Sequence, residues 1–580
     1  MNTRTAAYSH HLPVLFVLFI LLCGYHLSAQ TYPQNYFRNP LDIPIQLAAN
    51  FGEIRSNHFH MGFDIRTQQK ENLPVYASAD GYISHIRIEK YGYGRAIFIK
   101  HPNGYTTVYG HLNDFFPQLN DYVKQKQYAD KSWEQDFDVP ASLFPVSQGQ
   151  FIAYSGNTGG SEGPHLHFEI RDSKTDQNLN PELFGLITDN VYPTVNGLYM
   201  YDRRYSTYLA SPVNIAIKKK GKTNNYRVTG DTVKSGSQLV SFGIRAQDKN
   251  TPTSFNYGIY SASLFMDDLL VSSFALNDFS YDDSRYINAC IDYTKYKTAK
   301  TGIQYLFKLP GNKLNIYTPT PMHGVVILAD TLPHRMNIAV SDVTGNTDTV
   351  SFILKYDKNK QKDIVFPPYA KPCTADALCN IESANAKVQF SKDAFYDVVP
   401  FMMSELPPSS PVQVSNGIML HNYTVPVHDY YTVMIKTNLA ANDALRKKSV
   451  VQLKYGDDSI LAPANWQGDY CTAKFKTLGT VSVLIDTTAP VISVIGFKDS
   501  AIIKTQKSIS IKCTDNLSQT KNFTALLDGN WLLFSKKGNT CTYVFDEHCM
   551  PGSHTLHISV SDIAGNISEK DFVFTKEEVE

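Results

Sequence analysis

Hydrophobic and polar residues alternate with a period of two along most of the chain, and glycine-bearing turns interrupt the alternation at short intervals. The clearest stretch is VYASADGYISHIRIEKYGYGRAIFIKHPNGYTTVYGHL. In it Val75, Ile83, Ile86, Ile88, Ile97 and Ile99 mark apolar positions, while Asp80-Gly81 and Asn103-Gly104 are hairpin-type turn signals. The pattern predicts a compact β domain from about Tyr32 to Leu186, with DSKTDQNLNPELFG as a closing turn segment. Near its end, GGSEGPHLHFEIR reads as a strand behind a glycine-rich loop. Strand geometry sets His165, His167 and Glu169 on one face and Leu166, Phe168 and Ile170 on the other.

The alternation continues beyond residue 188 and repeats itself. HRMNIAVSDVTGNTDTVSFIL from His334 aligns with HTLHISVSDIAGNISEKDFVF from His554, and both place Ser-Asp-x-x-Gly-Asn between two strands. DNVYP, ending at Pro193, and DTTAP, ending at Pro490, occupy equivalent starts. IRAQDKN around Asp248 parallels IKCTDNL around Asp515. Each copy predicts an immunoglobulin-like β-sandwich, one over residues 188–357 and enlarged by NDFSYDDSRYINACIDYTKY, the other over 486–580. Between them, after the linker YDKNKQKDIVFPPYAKP, residues 358–485 predict a third β-rich domain of sandwich type. The expected fold class is therefore mainly β, an N-terminal antiparallel β domain followed by about three β-sandwich domains. Asp342 and Asp562 sit in the repeated turn. A strand-to-strand turn itself selects Asp and Gly-Asn there, and we prefer that reading to calcium ligation.

The chain begins with Met1, a cation at Arg4, the apolar run LPVLFVLFILLCGY and then HLSAQ, which predicts a signal peptide over residues 1–29 cleaved after Ala29. Lipidation at Cys23 is disfavoured because Leu22 stands where a small residue is expected. No later apolar run approaches the ~18 residues of a spanning helix, so no transmembrane segment is expected once the leader is removed. Lysines and arginines number 54, as do the acids, and this balance gives no footprint for a nucleic-acid partner. Export permits disulfides. The Cys373/Cys379 and Cys541/Cys549 spacings could close small loops, although spacing does not fix pairing, and no Cys-x-x-Cys zinc pattern occurs.

Chemistry concentrates in the first β domain. HFHMGFDI carries His58, His60 and Asp64, YGHL carries His111, and PHLHFEI carries His165 and His167. A catalytic zinc site needs about three nitrogen or oxygen ligands and one open position, and His60, Asp64 and His167 could supply them. With these motifs the domain resembles the lysostaphin/LytM family of zinc metalloendopeptidases, which cut peptide cross-links of bacterial cell walls. The family's His-x-x-x-Asp is matched by His60-Met61-Gly62-Phe63-Asp64. Its Tyr-x-His-Leu is matched by Tyr109-Gly110-His111-Leu112, and its Gly-x-His-x-His by Gly163-Pro164-His165-Leu166-His167. FGEIR, GYG at Gly92 to Gly94, HPNGYTTVYGHL, SGNTGG and Asn180-Pro181 complete the frame.

The resemblance implies a LytM-like antiparallel β peptidase domain over residues 30–187, with Zn2+ held by His60, Asp64 and His167. His111 and His165 are left beside the metal as general base and transition-state stabiliser, with their order open. Because His165 shares a strand face with His167, it can reach water beside the metal without ligating it. His58, His85 and His101 match no functional family position. Glu169 reads equally well as an orienting carboxylate or an exposed strand acid and stays outside the catalytic set. All five polar family positions are filled, which favours an enzyme over a non-enzymatic wall-binding scaffold or hydrolase activator; a secreted endopeptidase acting on glycine-rich protein is the second alternative. The implied function is an exported, periplasmic or cell-surface endopeptidase acting on peptidoglycan peptide cross-links. The direct D-alanyl to diaminopimelate bond is favoured, because leader and modules look like a Gram-negative exported protein. The modules after residue 188 are expected to position or regulate the enzyme through a protein or glycan partner. A fragment ending near Leu186 is accordingly expected to keep its activity. Residues 113–148, an insertion rich in apolar side chains, are expected to wall or gate the substrate groove, with a short helix starting near Asn120 or Asp121.

Overall fold

The computed structural model describes residues 32–221, 223–250, 255–517 and 520–578; the leader expected over residues 1–29 lies outside them. The chain is mainly β, an antiparallel-sheet domain followed by several further β-sheet domains. The sheet that carries the first domain runs in the order Leu47–Ala49, Phe63–Arg66, His165–Asp172, Tyr105–Gly110, Arg95–Lys100, Gly81–Ile88, Gln135–Asp138. One face of the His165–Asp172 strand packs Leu166, Phe168 and Ile170 into a core with Phe63, Ile65, Ile97 and Ile99. That frees its other face for His165, His167 and Glu169, as the alternation requires. Register does the rest. His167 lies opposite Asp64 on one neighbouring strand and Gly110 on the other, so Asp64, His167 and the residue after Gly110 converge. Gly62 is sterically required for this crossing, since a Cβ there would stand 2.3 Å from the Phe168 carbonyl oxygen.

The segment 113–148 is ordered but is not a wall of the groove. Its helix, Pro117–Asp130, starts before Asn120, because Pro117 occupies the first turn, where a missing N–H costs nothing. Leu119 and Val123 are buried beneath it. Gln135–Asp138 then extends the sheet edge against Gly81–Ile88. None of residues 113–148 borders the cleft described below. The helix instead faces the last β module.

Two sheets, one containing Thr194–Asp202 and Leu239–Gln247 and the other His334–Ser341 and Thr347–Tyr356, form the second module. Its core is continuous with the first domain: Phe51, Phe59 and Met61 belong to the same apolar cluster as Phe274, Phe279 and Ile338. Main-chain pairing crosses the junction too, Asn178–Leu179 against Asp278–Phe279. Two five-stranded sheets share the core of the middle module, and a four- and a five-stranded sheet that of the last, among the described residues. Cys373 and Cys379 are disulfide-bonded, whereas Cys541 and Cys549 are buried thiols that do not close the loop their spacing allowed. Among the described residues no helix is long and apolar enough to cross a membrane.

Candidate metal centre

The three expected ligands meet at one point. Asp64 Oδ1 lies 3.0 Å from His60 Nε2 and 2.9 Å from His167 Nδ1, and the two nitrogens are 3.3 Å apart. A tetrahedral ion with bonds of about 2.0–2.1 Å spaces its ligand atoms by about 3.3 Å. The triangle therefore fits zinc after a few tenths of an ångström of expansion. The donor set of two imidazoles and one carboxylate is also of zinc type.

Each histidine is fixed from behind. His60 Nδ1 donates to the Asn50 carbonyl oxygen at 2.8 Å, which leaves the Nε2 lone pair facing Asp64. His167 Nε2 donates to Glu169 Oε1 at 2.9 Å, leaving Nδ1 as its ligand atom. Glu169 is fully buried and heavily bonded. The Tyr93 and Tyr281 hydroxyls each donate to Oε1 at 2.7 Å, while Arg171 Nε and Asn178 Nδ2 each donate to Oε2 at 2.8 Å. Burial opposes its charge, but Arg171 and His167 outweigh that and hold the carboxyl well below the usual range. Asp64 is likewise held low against burial by the facing histidines. In the metal-free protein burial would deprotonate His167, yet hydrogen bonds to Asp64 and Glu169 raise it to about 9. Binding a cation there expels that proton.

His165 and His111 stand beside the triangle. His165 Nδ1 donates to the Gly163 carbonyl oxygen at 2.8 Å, and its Nε2 lies 3.3 Å from Asp64 Oδ1. His111 Nδ1 donates to the Thr158 carbonyl oxygen at 2.9 Å, and the two rings are 4.7 Å apart. Burial, reinforced by His167 and His165, lowers His111 to about 3, so its ring is neutral at neutral pH. The SGNTGG loop is what holds it: Thr158 Oγ1 donates to the Leu112 carbonyl oxygen and accepts from Arg95 N. Gly159, at φ 69°, packs against the main chain of Gly94 too closely for any Cβ.

All five sequence-derived residues thus line one open cleft of about 1020 Å³. His58 lines it as well. His85 instead pairs with Asp136 and Asp138 at the far sheet edge, and His101 bonds Thr107 and the Asp80 carbonyl beside a turn. Two contributors were not selected from sequence. Glu169 was left out because alternation alone does not distinguish a buried carboxylate from an exposed one. Tyr281 comes from the second module, and no local pattern links it to the histidine motifs.

Residues 58–132 and 144–181 match the model of peptidase family M23. The chain carries an N-terminal M23 peptidase domain. The match breaks over residues 133–143, inside the 113–148 segment. Residues 371–486 match a Zu5-like domain, so the middle module, expected as a β-rich domain of sandwich type, is a Zu5-like β domain. Among curated relatives of the M23 domain, the DD-carboxypeptidase/endopeptidase Mpg of Neisseria meningitidis is 35% identical over 129 residues, covering 22% of this chain and 23% of that protein. The peptidoglycan DD-endopeptidase ShyA of Vibrio cholerae is 31% identical over 158 residues, 25% of this chain and 31% of that protein. The chain therefore spans less than a third of the length of these relatives. Among solved structures, the catalytic domain of lysostaphin from Staphylococcus simulans is similar at 23% identity, covering 24% of this chain and 91% of that one, with a TM-score of 0.19.

Proposed function

We propose that the protein is an exported zinc endopeptidase of peptidoglycan that cuts the direct peptide cross-link. The M23 domain, read as residues 30–187, does the chemistry, followed by immunoglobulin-like modules over 188–357 and 486–580 around the β domain over 358–485. The observation that carries the proposal is the ligand triangle of His60, Asp64 and His167, with both histidines tied from behind so that their lone pairs converge. Zinc held there would polarise the scissile carbonyl and activate water for attack. His165, its Nδ1 proton committed to Gly163, presents Nε2 to take the proton of the attacking water and return it to the leaving amine. His111, neutral and fixed by Thr158, presents its own Nε2 to align that water. Arg55 and Arg66 border the cleft and offer cations to the carboxylates of a wall peptide. The DD-endopeptidase character of the relatives Mpg and ShyA agrees with this substrate class.

Two measurements test the reading. Zinc stoichiometry should be about one in the wild type and near zero in His60→Ala and His167→Ala. Digestion of defined cross-linked muropeptides beside a pentaglycine peptide should release new ends only from the former. His165→Ala and His111→Ala should keep zinc and lose about 10²-fold or more in turnover. Near-normal turnover in both would remove the mechanism, and cleavage of pentaglycine alone would change the substrate.

A further inference from the structure

The two repeated sandwiches carry a second kind of site. Asp189, Asp248 and Asp342 in the second module, and Asp486, Asp515 and Asp562 in the last, each bring three carboxylates together, with one oxygen per residue within 4.8 Å of the others. The clusters are equivalent element by element. Asp189 and Asp486 lie in the segments leading into strands Thr194–Asp202 and Val491–Ile495. Asp248 and Asp515 directly follow strands Leu239–Gln247 and Ser508–Thr514, and Asp342 and Asp562 follow His334–Ser341 and Gly552–Ser561. The repeated turn accounts for one aspartate of each trio only. Asn346 N and Nδ2 donate to Asp342 at 2.9 and 2.7 Å, and Asn566 does the same for Asp562 at 2.8 and 2.7 Å.

Of the other carboxylates, Asp189, Asp486 and Asp515 each use one oxygen to accept the N–H two residues on, from Val191, Thr488 and Leu517, and turn geometry goes no further than that. Asp248 is 3% exposed and its Oδ1 has no hydrogen-bond partner; Asp486 is 1% exposed and its Oδ2 has none. A buried carboxylate oxygen without a donor is costly, and a second and third carboxylate beside it make it more so. Around the first cluster a small cavity is lined by the oxygen-bearing side chains of Glu182, Asp189, Asp248, Asn250, Asp342 and Thr344, together with Ile187 and Val343. Lys448, whose charge acts on Asp486, spends its Nζ on the Gly565 carbonyl oxygen. Among the described residues Asp248, Asp342, Asp486 and Asp562 form no salt bridge.

We infer that each aspartate trio is a calcium site. The donor set is oxygen only, without the nitrogen or sulfur that zinc would select, and its spread over three loops suits a large cation tolerant of irregular coordination better than magnesium. Both sites lie where one module hands over to the next. Asp189 belongs to the connection from the M23 domain, whose Glu182 enters the first cavity, and Asp486 directly follows strand Gly479–Ile485 of the Zu5-like domain. A cation at each trio binds the incoming linker to two loops at the end of a sandwich. Calcium therefore stiffens both junctions and sets the orientation of the modules.

The test uses the full mature chain, zinc-loaded and dialysed into calcium-free buffer, titrated calorimetrically with CaCl2 and separately with MgCl2. The wild type should take up about two equivalents of calcium, Asp248→Asn and Asp486→Asn about one each, and the double variant none, while zinc content stays unchanged. Magnesium should give little heat. Thermal unfolding supplies the second measurement and does not need stoichiometry. With calcium the wild type should melt roughly 5 °C above the variants. Without calcium the order should vanish or reverse, because each substitution relieves a buried like charge. No calcium uptake by the wild type at millimolar concentration overturns the inference. So does uptake that survives in the double variant, or a variant destabilised equally with and without the ion.

Discussion

The M23 domain touches two other parts of the chain, and the two contacts are built from different physics. Toward the second module the boundary is apolar and continuous. Phe51 stacks on Phe279 at 4.5 Å and Phe59 packs tilted against it at 4.9 Å, Met61 joins them, and Asn180 N donates to the Asn277 carbonyl oxygen beside the cross-module strand pair. Tyr281 then passes through this boundary to Glu169 behind the candidate metal ligand His167. Toward the last module the boundary is polar. Lys124 reaches Asp546 at 2.7 Å and Glu547 at 2.9 Å, Tyr128 stacks on His548 at 3.7 Å, and Lys537 Nζ donates to the Asn157 carbonyl oxygen. Burial of large apolar side chains is strong and insensitive to salt, whereas exposed ion pairs are weak and screened. The first contact reaches the candidate metal centre through Tyr281, and the second is expected to open more readily.

The largest expected effect separates the two by truncation. A chain ending near Leu186 uncovers Phe51, Phe59 and Met61, each worth about 1.5–3 kcal/mol when buried, and loses the partner strand of Asn178–Leu179. It should be poorly soluble and poor in zinc, the opposite of the outcome expected when the modules are treated as independent beads. A chain ending near Ile485, which lacks only the last module, should fold, load zinc and hydrolyse small muropeptides. Soluble yield, zinc content and a melting curve decide it. A folded, zinc-loaded and fully active fragment ending at Leu186 would abolish the distinction.

Point substitutions sharpen the same boundary. Phe279→Ala empties the space between two rings and should cost about 3–5 kcal/mol, read by denaturant unfolding. Tyr281→Phe is milder. It removes one donor from Glu169 Oε1 while Tyr93 and His167 remain, so the fold should persist and zinc affinity or turnover should fall by about 10-fold. A chelator competition at fixed pH reads the affinity. Unchanged affinity together with unchanged turnover would reduce Tyr281 to packing.

This boundary also marks where sequence reading succeeds and stops. His60, Asp64, His111, His165 and His167 were legible because each belongs to a short motif that resembles one of the lysostaphin/LytM family, while strand alternation by itself set only His165, His167 and Glu169 on a common face. The β class and the repeat were legible from period-two alternation. What escaped depends on tertiary neighbours. Glu169 is buried because Tyr93 and Tyr281 close over it, and Tyr281 lies more than a hundred residues from the strand it serves. The helix start moved to Pro117 because a proline there outcompetes a downstream Asn cap. Phe115, Leu119, Val123 and Trp133 of 113–148 do pack inward while Leu143 stays exposed, but the path of the segment carries its polar face to the last module and away from the cleft.

The smallest expected effect is at the polar contact. Lys124→Ala removes two ion pairs to partly exposed acids, and pairs of this kind contribute about 0.2–1 kcal/mol each, so the melting temperature of the M23 domain should hardly move. The contact has few other holds: the Tyr128 ring on His548 and Trp531, Leu533 against the domain edge, and Lys537 on Asn157. Lys124→Ala combined with Tyr128→Ala should therefore let the last module swing free. Small-angle scattering should report a larger radius of gyration, and 0.5 M NaCl should produce part of the same change in the wild type. Hydrolysis of a small soluble muropeptide should be unchanged, because neither residue borders the cleft, while hydrolysis of intact sacculi should change as the module beside the Asn157 loop moves away. If the double variant in high salt keeps the wild-type radius, the second contact is held by packing after all, and the two boundaries differ in degree only.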